Sequence, residues 1–200
     1  MRIVTWNVNS IRARQERLLA LLARHRPDVV CLQELKTAAA GFPAAALAEA
    51  GYHAAVHGQK TYNGVAILAR EAPTEIATGF GDGGDESQAR LVTATVGGLA
   101  IASAYVPNGK EVGSEKWAYK LAWLDRLAAW VRRRPPAPPL VLGGDFNIAP
   151  DARDVASPEV WAGSVLCAPP ARAAWEALLA AGLTDAFRLH HDEGGHYSWW

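Results

Sequence analysis

The sequence predicts an α/β protein in which two sheets pack face to face, with helices outside. Three observations predict it. A strand, a helix and a second strand follow one another within the first 34 residues. Four strand-like runs then succeed each other with no long helix among them. Amphipathic helical segments precede and follow the last strand, "LVLGGDFN".

"RIVTWNV" is rich in β-branched and aromatic residues and reads as the first strand. Ser10 is placed to cap the helix "IRARQERLLALLARHR", whose apolar stripe carries Ile11, Leu18, Leu19, Leu21 and Leu22 and which Pro27 ends. "DVVCLQE" is almost continuously apolar, as expected of a strand buried on both faces, and completes a βαβ unit. Ala44 to Ala50 reads as a short helix stopped by Gly51. "YHAAVHG", "GVAILAR", "RLVTATV" and "LAIASAYV" are the four strands of the middle, with Gly97-Gly98 as a hairpin turn. "SEKWAYKLAWLDRLAAWVRRR" is a long amphipathic helix capped by Ser114, and Trp117, Trp123, Leu124, Leu127 and Trp130 belong to its core face. "PPAPP" is a rigid linker into "LVLGGDFN", and "AAWEALLAAG" is the last helix, ended by Gly182. Ser198-Trp199-Trp200 reads as the start of a further strand.

The chain has 200 residues, half of them hydrophobic, enough for the core of a single domain spanning 1–200. Lys+Arg and Asp+Glu both number 20, so the net charge is zero and a polyanionic partner would need a local basic face. Two cysteines, Cys31 and Cys167, give neither a disulfide framework nor a zinc motif. No apolar run approaches a membrane span, and a reducing, cytoplasmic setting and a monomer are expected.

The chemistry sits at strand ends. "TWNVN" delivers Asn7 and Asn9, "CLQE" delivers Glu34, "SAYVPN" delivers Tyr105 and Asn108, and "GGDFN" delivers Asp145 and Asn147. Asp, Asn and Glu are poor strand residues, and a carboxylate beside an apolar strand needs compensation. A bound divalent cation is one compensation, and an all-oxygen donor set without thiols suits Mg²⁺ or Mn²⁺. Taken singly, each residue has a plainer structural reading: Glu34 as a solvated residue or helix cap, Asp145 with Asn147 as an Asx-turn, Tyr105 as an edge aromatic, Asn7 as a turn tie. Spacing by two puts Asp145 and Asn147 on one face of an extended chain, as it does Asn7 and Asn9. Convergence of these groups on one metal-dependent site is the expectation.

"TWNVNSIRA", "DVVCLQELK", "YNGVAIL", "YVPNG", "GDFNIAP" and "HYSWW", in this order, resemble the bacterial exonuclease III family of abasic-site endonucleases, within the endonuclease/exonuclease/phosphatase superfamily. The resemblance covers essentially the whole chain. It implies a four-layer α/β/β/α sandwich of DNase I-like type with its site at one edge, between the sheets. It implies that Glu34 binds metal, that Asn7 helps build the metal and phosphate pocket, and that Asp145 and Asn147 complete that pocket. Asp145 then orients or deprotonates the attacking water, Asn147 holds the phosphate, and Tyr105 stands near the scissile bond. Asn108 and Arg90 support the site or contact DNA, and Trp199 walls the pocket for the abasic sugar. Lys60, Lys110 and Arg153 lie on expected loops and make a rim for the DNA backbone. The implied cofactor is Mg²⁺, with Mn²⁺ as substitute. The implied partner is double-stranded DNA carrying abasic sites or 3′ ends.

The resemblance also has gaps. The family continues past its "SWW"-like segment to an Asp-His motif that these 200 residues do not contain. The second sheet is therefore expected to be incomplete, and the 200 residues alone to be unstable or poorly active. Asn9 stands where some relatives carry an aspartate, and His190, His191 and His196 match no family position. Two other readings compete: another phosphodiesterase or phosphatase acting on RNA or a small phosphate ester, and a catalytically impaired DNA-binding scaffold.

Overall fold

The computed structural model describes residues 1–198. The chain forms two compact units: Met1–Tyr105 with Pro135–Asp145, and Val106–Arg134 with the described residues from Phe146 onward.

The first unit holds both sheets. β1 (Ile3–Asn7) and β2 (Val29–Gln33) are parallel and joined by helix α1 (Ile11–His25). β4 (Val65–Ala69) pairs antiparallel with β2, and β3 (His53–His57) with β4, giving the order β1-β2-β4-β3. The second sheet runs β5-β6-β7-β8: β5 (Thr74–Thr78), β6 (Leu91–Val96), β7 (Leu99–Tyr105) and β8 (Leu140–Asp145). Its last pair, β7 and β8, is again parallel, and Tyr105 lies opposite Asp145.

Burial explains the continuous apolar run of β2. Val30 and Leu32 face a core made with Ile11, Leu18 and Leu22 of α1 and Leu47 of α2 (Ala44–Glu49). Val29 and Cys31, on the opposite face, join Ile67 of β4 and Val92, Ala94 and Ile101 of the second sheet. One face thus meets helices and the other meets a sheet, so both faces of Val29 to Leu32 are apolar, and only Gln33 at the strand's end is polar. Cys31 is fully buried, and burial pushes its thiol up to about 12, so it acts as a small hydrophobe.

Local signals held at several boundaries. Ser10 Oγ accepts from the Ala13 amide at 3.4 Å, and α1 ends at Arg26, in the left-handed region, just before Pro27. Gly97 and Gly98 both have positive φ and link the paired residues Val96 and Leu99, the two-residue hairpin expected. β5 is a correction: it was not among the expected strands. It is exposed along its whole length and carries a bulge between Thr74 and Ala77, so it offers no apolar alternation to read.

Helix α3 (Glu115–Arg133) of the second unit is capped by Ser114, whose Oγ accepts from the Trp117 amide at 3.2 Å. Trp117, Trp123, Leu124, Leu127 and Trp130 are buried, as their spacing requires. Two short elements follow β8: a 3-10 turn at Ala152–Asp154 and α4 (Pro158–Trp161). α5 (Pro169–Ala180) begins at Pro169, ahead of the apolar pattern, because proline fits the first helical positions without losing a hydrogen bond. Ser198 sits in a bend, and Trp199 and Trp200 lie outside the described residues.

Candidate active site

Two parallel strand pairs, one in each sheet, carry the site of the first unit at their carboxyl ends. Asn7 closes β1, Glu34 follows β2 directly, and Tyr105 and Asp145 close β7 and β8. The Asn7 side chain joins them. Its Nδ2 donates to Glu34 Oε1 and to Asp145 Oδ2, each at 2.8 Å. Tyr105 donates its hydroxyl to the same Glu34 Oε1 at 2.9 Å. Asn7 Oδ1 accepts from the Asn9 amide at 3.0 Å. Asn7 is thus a donor clamp between two carboxylates, with its oxygen turned toward Asn9.

Glu34 has φ near +55°, which a non-glycine residue adopts only at a cost. The left-handed kink lets the chain leave β2 and brings the carboxylate to Asn7 and Tyr105. Glu34 also forms an ion pair with Lys36, Nζ to Oε2 at 3.0 Å. Burial raises the Glu34 carboxyl. Hydrogen bonds from Asn7, Lys36 and Tyr105 outweigh it and hold the group below the usual glutamate range. Tyr105 shifts the other way. Burial, then the adjacent Glu34 charge, push its hydroxyl well above the ordinary tyrosine range, against the pull of Arg90.

Glu34 and Asp145 offer carboxylate oxygens with no thiol or imidazole beside them, and the Asn7 amide holds the two together. That chemistry fits a hard divalent cation. Lys36 was not foreseen from sequence; it supplies positive charge to Glu34, and its signal was a cation two positions past a strand-end carboxylate. A polar seam beneath the site was also missed. Gln33 Nε2 donates to Ser103 Oγ at 3.1 Å and to Thr5 Oγ1 at 3.2 Å, and Ser103 Oγ donates to the Leu32 carbonyl at 3.1 Å. Each of these three lies one or two residues before a site residue, so the seam locks the strand ends in register. The second glycine of "LGGD" has a steric reason: a Cβ on Gly144 would stand 2.1 Å from the Ala104 carbonyl oxygen. Only glycine lets β8 lie this close to β7.

The expected DNA-contacting residues fare differently. Lys60 lines a cleft of about 360 Å³ together with Arg12 and Lys36. Arg90 stacks on the Tyr105 ring at 4.8 Å, donates to the Tyr105 carbonyl at 3.1 Å and to Gln88 at 2.7 Å, so it braces Tyr105.

The second unit holds the remaining residues. Asn108 Nδ2 donates to Asn147 Oδ1 at 3.1 Å, and Asn147 Nδ2 donates to the Val106 carbonyl at 3.0 Å. Asn147 has φ near +49°, so the period-two argument for it does not hold: the strand ends at Asp145 and the backbone turns. The turn is held by Lys120, which is fully buried within α3. Its Nζ donates to the Asn147 and Val165 carbonyls at 2.6 Å and to the Asn108 carbonyl at 3.3 Å. By sequence pattern Lys120 is one more residue of an amphipathic helix. A lysine three residues from Trp117 and three from Trp123 lies on the apolar face, and that was the available signal. Lys110 lines a cleft of about 550 Å³ with Asn108 and Trp161. Arg153 forms exposed ion pairs with Asp151 and Asp192, at 3.7 and 3.8 Å. Trp199 lies outside the described residues.

The model of the endonuclease/exonuclease/phosphatase family matches residues 4–200. The chain belongs to this family. Within the family it is of the exonuclease III type, a class of phosphodiester hydrolases. It is 31% identical to the exodeoxyribonuclease III of Haemophilus influenzae, over all of this chain and 79% of that protein. A solved 3′-5′ exonuclease from Neisseria meningitidis is 43% identical with a TM-score of 0.97, covering 100% of this chain and 78% of the other. A 3′ phosphatase from Neisseria, solved with a product DNA hairpin, is 42% identical with a TM-score of 0.94, over 97% of this chain and 76% of the other. The α/β fold expected from the resemblance stands on these likenesses. Nucleases of this family are in general dependent on divalent metal. Among the described residues, no helix is long and apolar enough to cross a membrane.

Proposed function

We propose that this protein is a Mg²⁺-dependent DNA-repair nuclease, in which Mn²⁺ can substitute. It hydrolyses phosphodiesters 5′ to abasic sites and removes 3′-terminal nucleotides or blocking groups from duplex DNA. It works as a monomer in the cytoplasm. The observation that carries this reading is the Asn7 clamp, which holds Glu34 and Asp145 together at the ends of parallel strand pairs. Hydrolysis needs a water oriented on phosphorus, charge balance on the phosphorane, and relief of charge on the departing 3′ oxygen. Asp145 orients the water and takes its proton as the new P–O bond forms and the P–O3′ bond breaks. Tyr105 and Asn7 donate hydrogen bonds that keep Glu34 ionised and aimed. A divalent ion held by Glu34 and Asp145 would supply positive charge opposite the phosphoryl oxygens and the leaving oxygen. Arg12, Lys36 and Lys60 give the first unit a basic cleft suited to the sugar-phosphate backbone.

The names of the two Neisseria relatives favour 3′-terminal work as the leading activity. The test is a panel of duplexes bearing an internal abasic site, a 3′-phosphate or a recessed 3′-hydroxyl, with an RNA hairpin and a small phosphate ester beside them, each with Mg²⁺ and with chelator. Mg²⁺-dependent release from the DNA substrates is expected. Turnover confined to RNA or the small ester would instead make the protein a different phosphodiesterase. Binding of the duplexes without cleavage would make it a scaffold.

A further inference from the structure

We propose that His191, Glu193 and His196 form a second metal site, for a borderline transition ion of the Zn²⁺ class. The functional reading leaves these histidines without a role. Three observations carry the proposal. His191 Nδ1 and His196 Nε2 stand 3.0 and 2.9 Å from one carboxylate oxygen, Glu193 Oε1. The ligand atoms of the three residues all lie within 4.8 Å of one another. Among the described residues, no other group of three His, Cys, Asp or Glu is gathered in this way.

The site is also held in shape without an ion. Phe187 stacks on the His191 ring at 4.7 Å and meets the His196 ring edge-on at 5.5 Å. Arg188 ties the backbone from inside, Nη1 donating to the His191 carbonyl at 2.9 Å and to the Glu193 carbonyl at 3.0 Å. Arg188 is itself fixed by an ion pair with Asp154. Gly195, with φ near +91°, lets the chain double back so that His196 returns to Glu193. A loop fixed in this way loses little further freedom on binding.

The donor set decides the ion. Two imidazole nitrogens and one carboxylate oxygen suit Zn²⁺ and its neighbours, whereas Mg²⁺ prefers the oxygen-only set of Glu34 and Asp145. A tetrahedral ion bound by three side chains keeps one position for water or an external ligand. All three residues are exposed, so an ion reaches them without any opening of the fold.

The probe is Zn²⁺ itself, titrated calorimetrically into the protein under saturating Mg²⁺ and checked by metal analysis after dialysis. One retained equivalent is expected. It should persist in Glu34→Gln and be lost in the His191→Gln/His196→Gln variant, while Glu193→Gln weakens binding by roughly tenfold or more. An unchanged stoichiometry in a folded double-histidine variant overturns the proposal, as does a wild-type protein that retains no Zn²⁺. Should the double variant fail to fold, the imidazole ¹⁵N resonances of the wild type decide. Zn²⁺ must shift His191 Nδ1 and His196 Nε2, and unmoved signals sink the site.

Discussion

Asn7 Nδ2 and Asp145 Oδ2, from residues 138 positions apart in sequence, are joined by a hydrogen bond of 2.8 Å, and the same nitrogen donates to Glu34. The amide is a neutral group between two carboxylates that would otherwise repel each other. In the intact protein, Asn7→Ala should lower turnover roughly 10²–10³-fold, the usual effect of losing one fixed donor at a phosphoryl or acyl centre. Asn7→Asp should be at least as damaging, since it adds a third negative charge. Steady-state kinetics on a 3′-blocked duplex checks both. Near wild-type turnover in Asn7→Ala would show that the clamp is ornamental.

Glu34 should remain ionised to lower pH than an ordinary glutamate, because hydrogen bonds from Asn7, Lys36 and Tyr105 outweigh the burial that opposes charge. A carboxyl lowered in the folded state adds stability that is fully present above its unfolded value of about 4.3, and that is lost as pH falls through the lower folded value. Carbon-detected NMR titration should find the Glu34 midpoint below the ordinary range and moved upward in Lys36→Met. Glu34→Gln should raise the Mg²⁺ concentration needed for activity, through loss of an anionic ligand. An unmoved metal titration in Glu34→Gln counts against its role as ligand.

Tyr105 should act as a hydroxyl donor and never as a phenolate at working pH, because burial and the neighbouring Glu34 charge hold its proton on. Tyr105→Phe should therefore lower turnover by roughly ten- to a hundred-fold, within the scale of one lost hydrogen bond to a charged group. It should leave the alkaline limb of the pH–rate profile where it was. Disappearance of that limb in Tyr105→Phe would mean that the hydroxyl titrates in the mechanism.

Asp145→Asn should lower turnover by roughly two to four orders of magnitude, the range of a general-base contribution, with little loss of DNA affinity. The substitution keeps the shape that accepts the Asn7 hydrogen bond but removes the charge. Single-turnover rates and equilibrium binding, measured on one duplex, separate the two effects. A large loss of affinity with unchanged single-turnover chemistry would reassign Asp145 to binding.

The strand ends were legible because apolar runs that stop on Asn, Glu, Tyr and Asp are rare on physical grounds, and four of them occur in one chain. Asn7, Glu34, Tyr105 and Asp145 are gathered as that pattern suggested. How they are gathered was not legible. A hydrogen bond between residues far apart in sequence leaves no local trace, so the donor role of Asn7 and the bracing role of Arg90 could not be read. Period-two reasoning failed at Asn147 because it assumes an extended backbone, and the chain there is left-handed. β5 was invisible for the opposite reason to β2: an exposed edge strand has no buried apolar side, whereas β2, covered on both faces, is apolar from Val29 to Leu32.

Lys120 is the last case and the one most dependent on structure. Its ammonium is fully buried and donates to the carbonyls of Asn108, Asn147 and Val165. It thus holds the backbone under both site amides of the second unit without facing solvent. Lys120→Met keeps the volume and the apolar stem but takes the donor from three partly buried carbonyls. Three such losses cost ~3 kcal/mol in sum, at the lower end of what separate losses would add to. A protein of this size should then melt roughly 6–12 °C lower. Lys120→Arg should not rescue it, because a planar guanidinium cannot fill a site built around a compact ammonium. Turnover measured well below the melting point should also fall in Lys120→Met, through displaced Asn108 and Asn147. A variant that melts earlier yet turns over normally in the cold would confine Lys120 to stability, and an unchanged melting point would show that the three carbonyls find other donors.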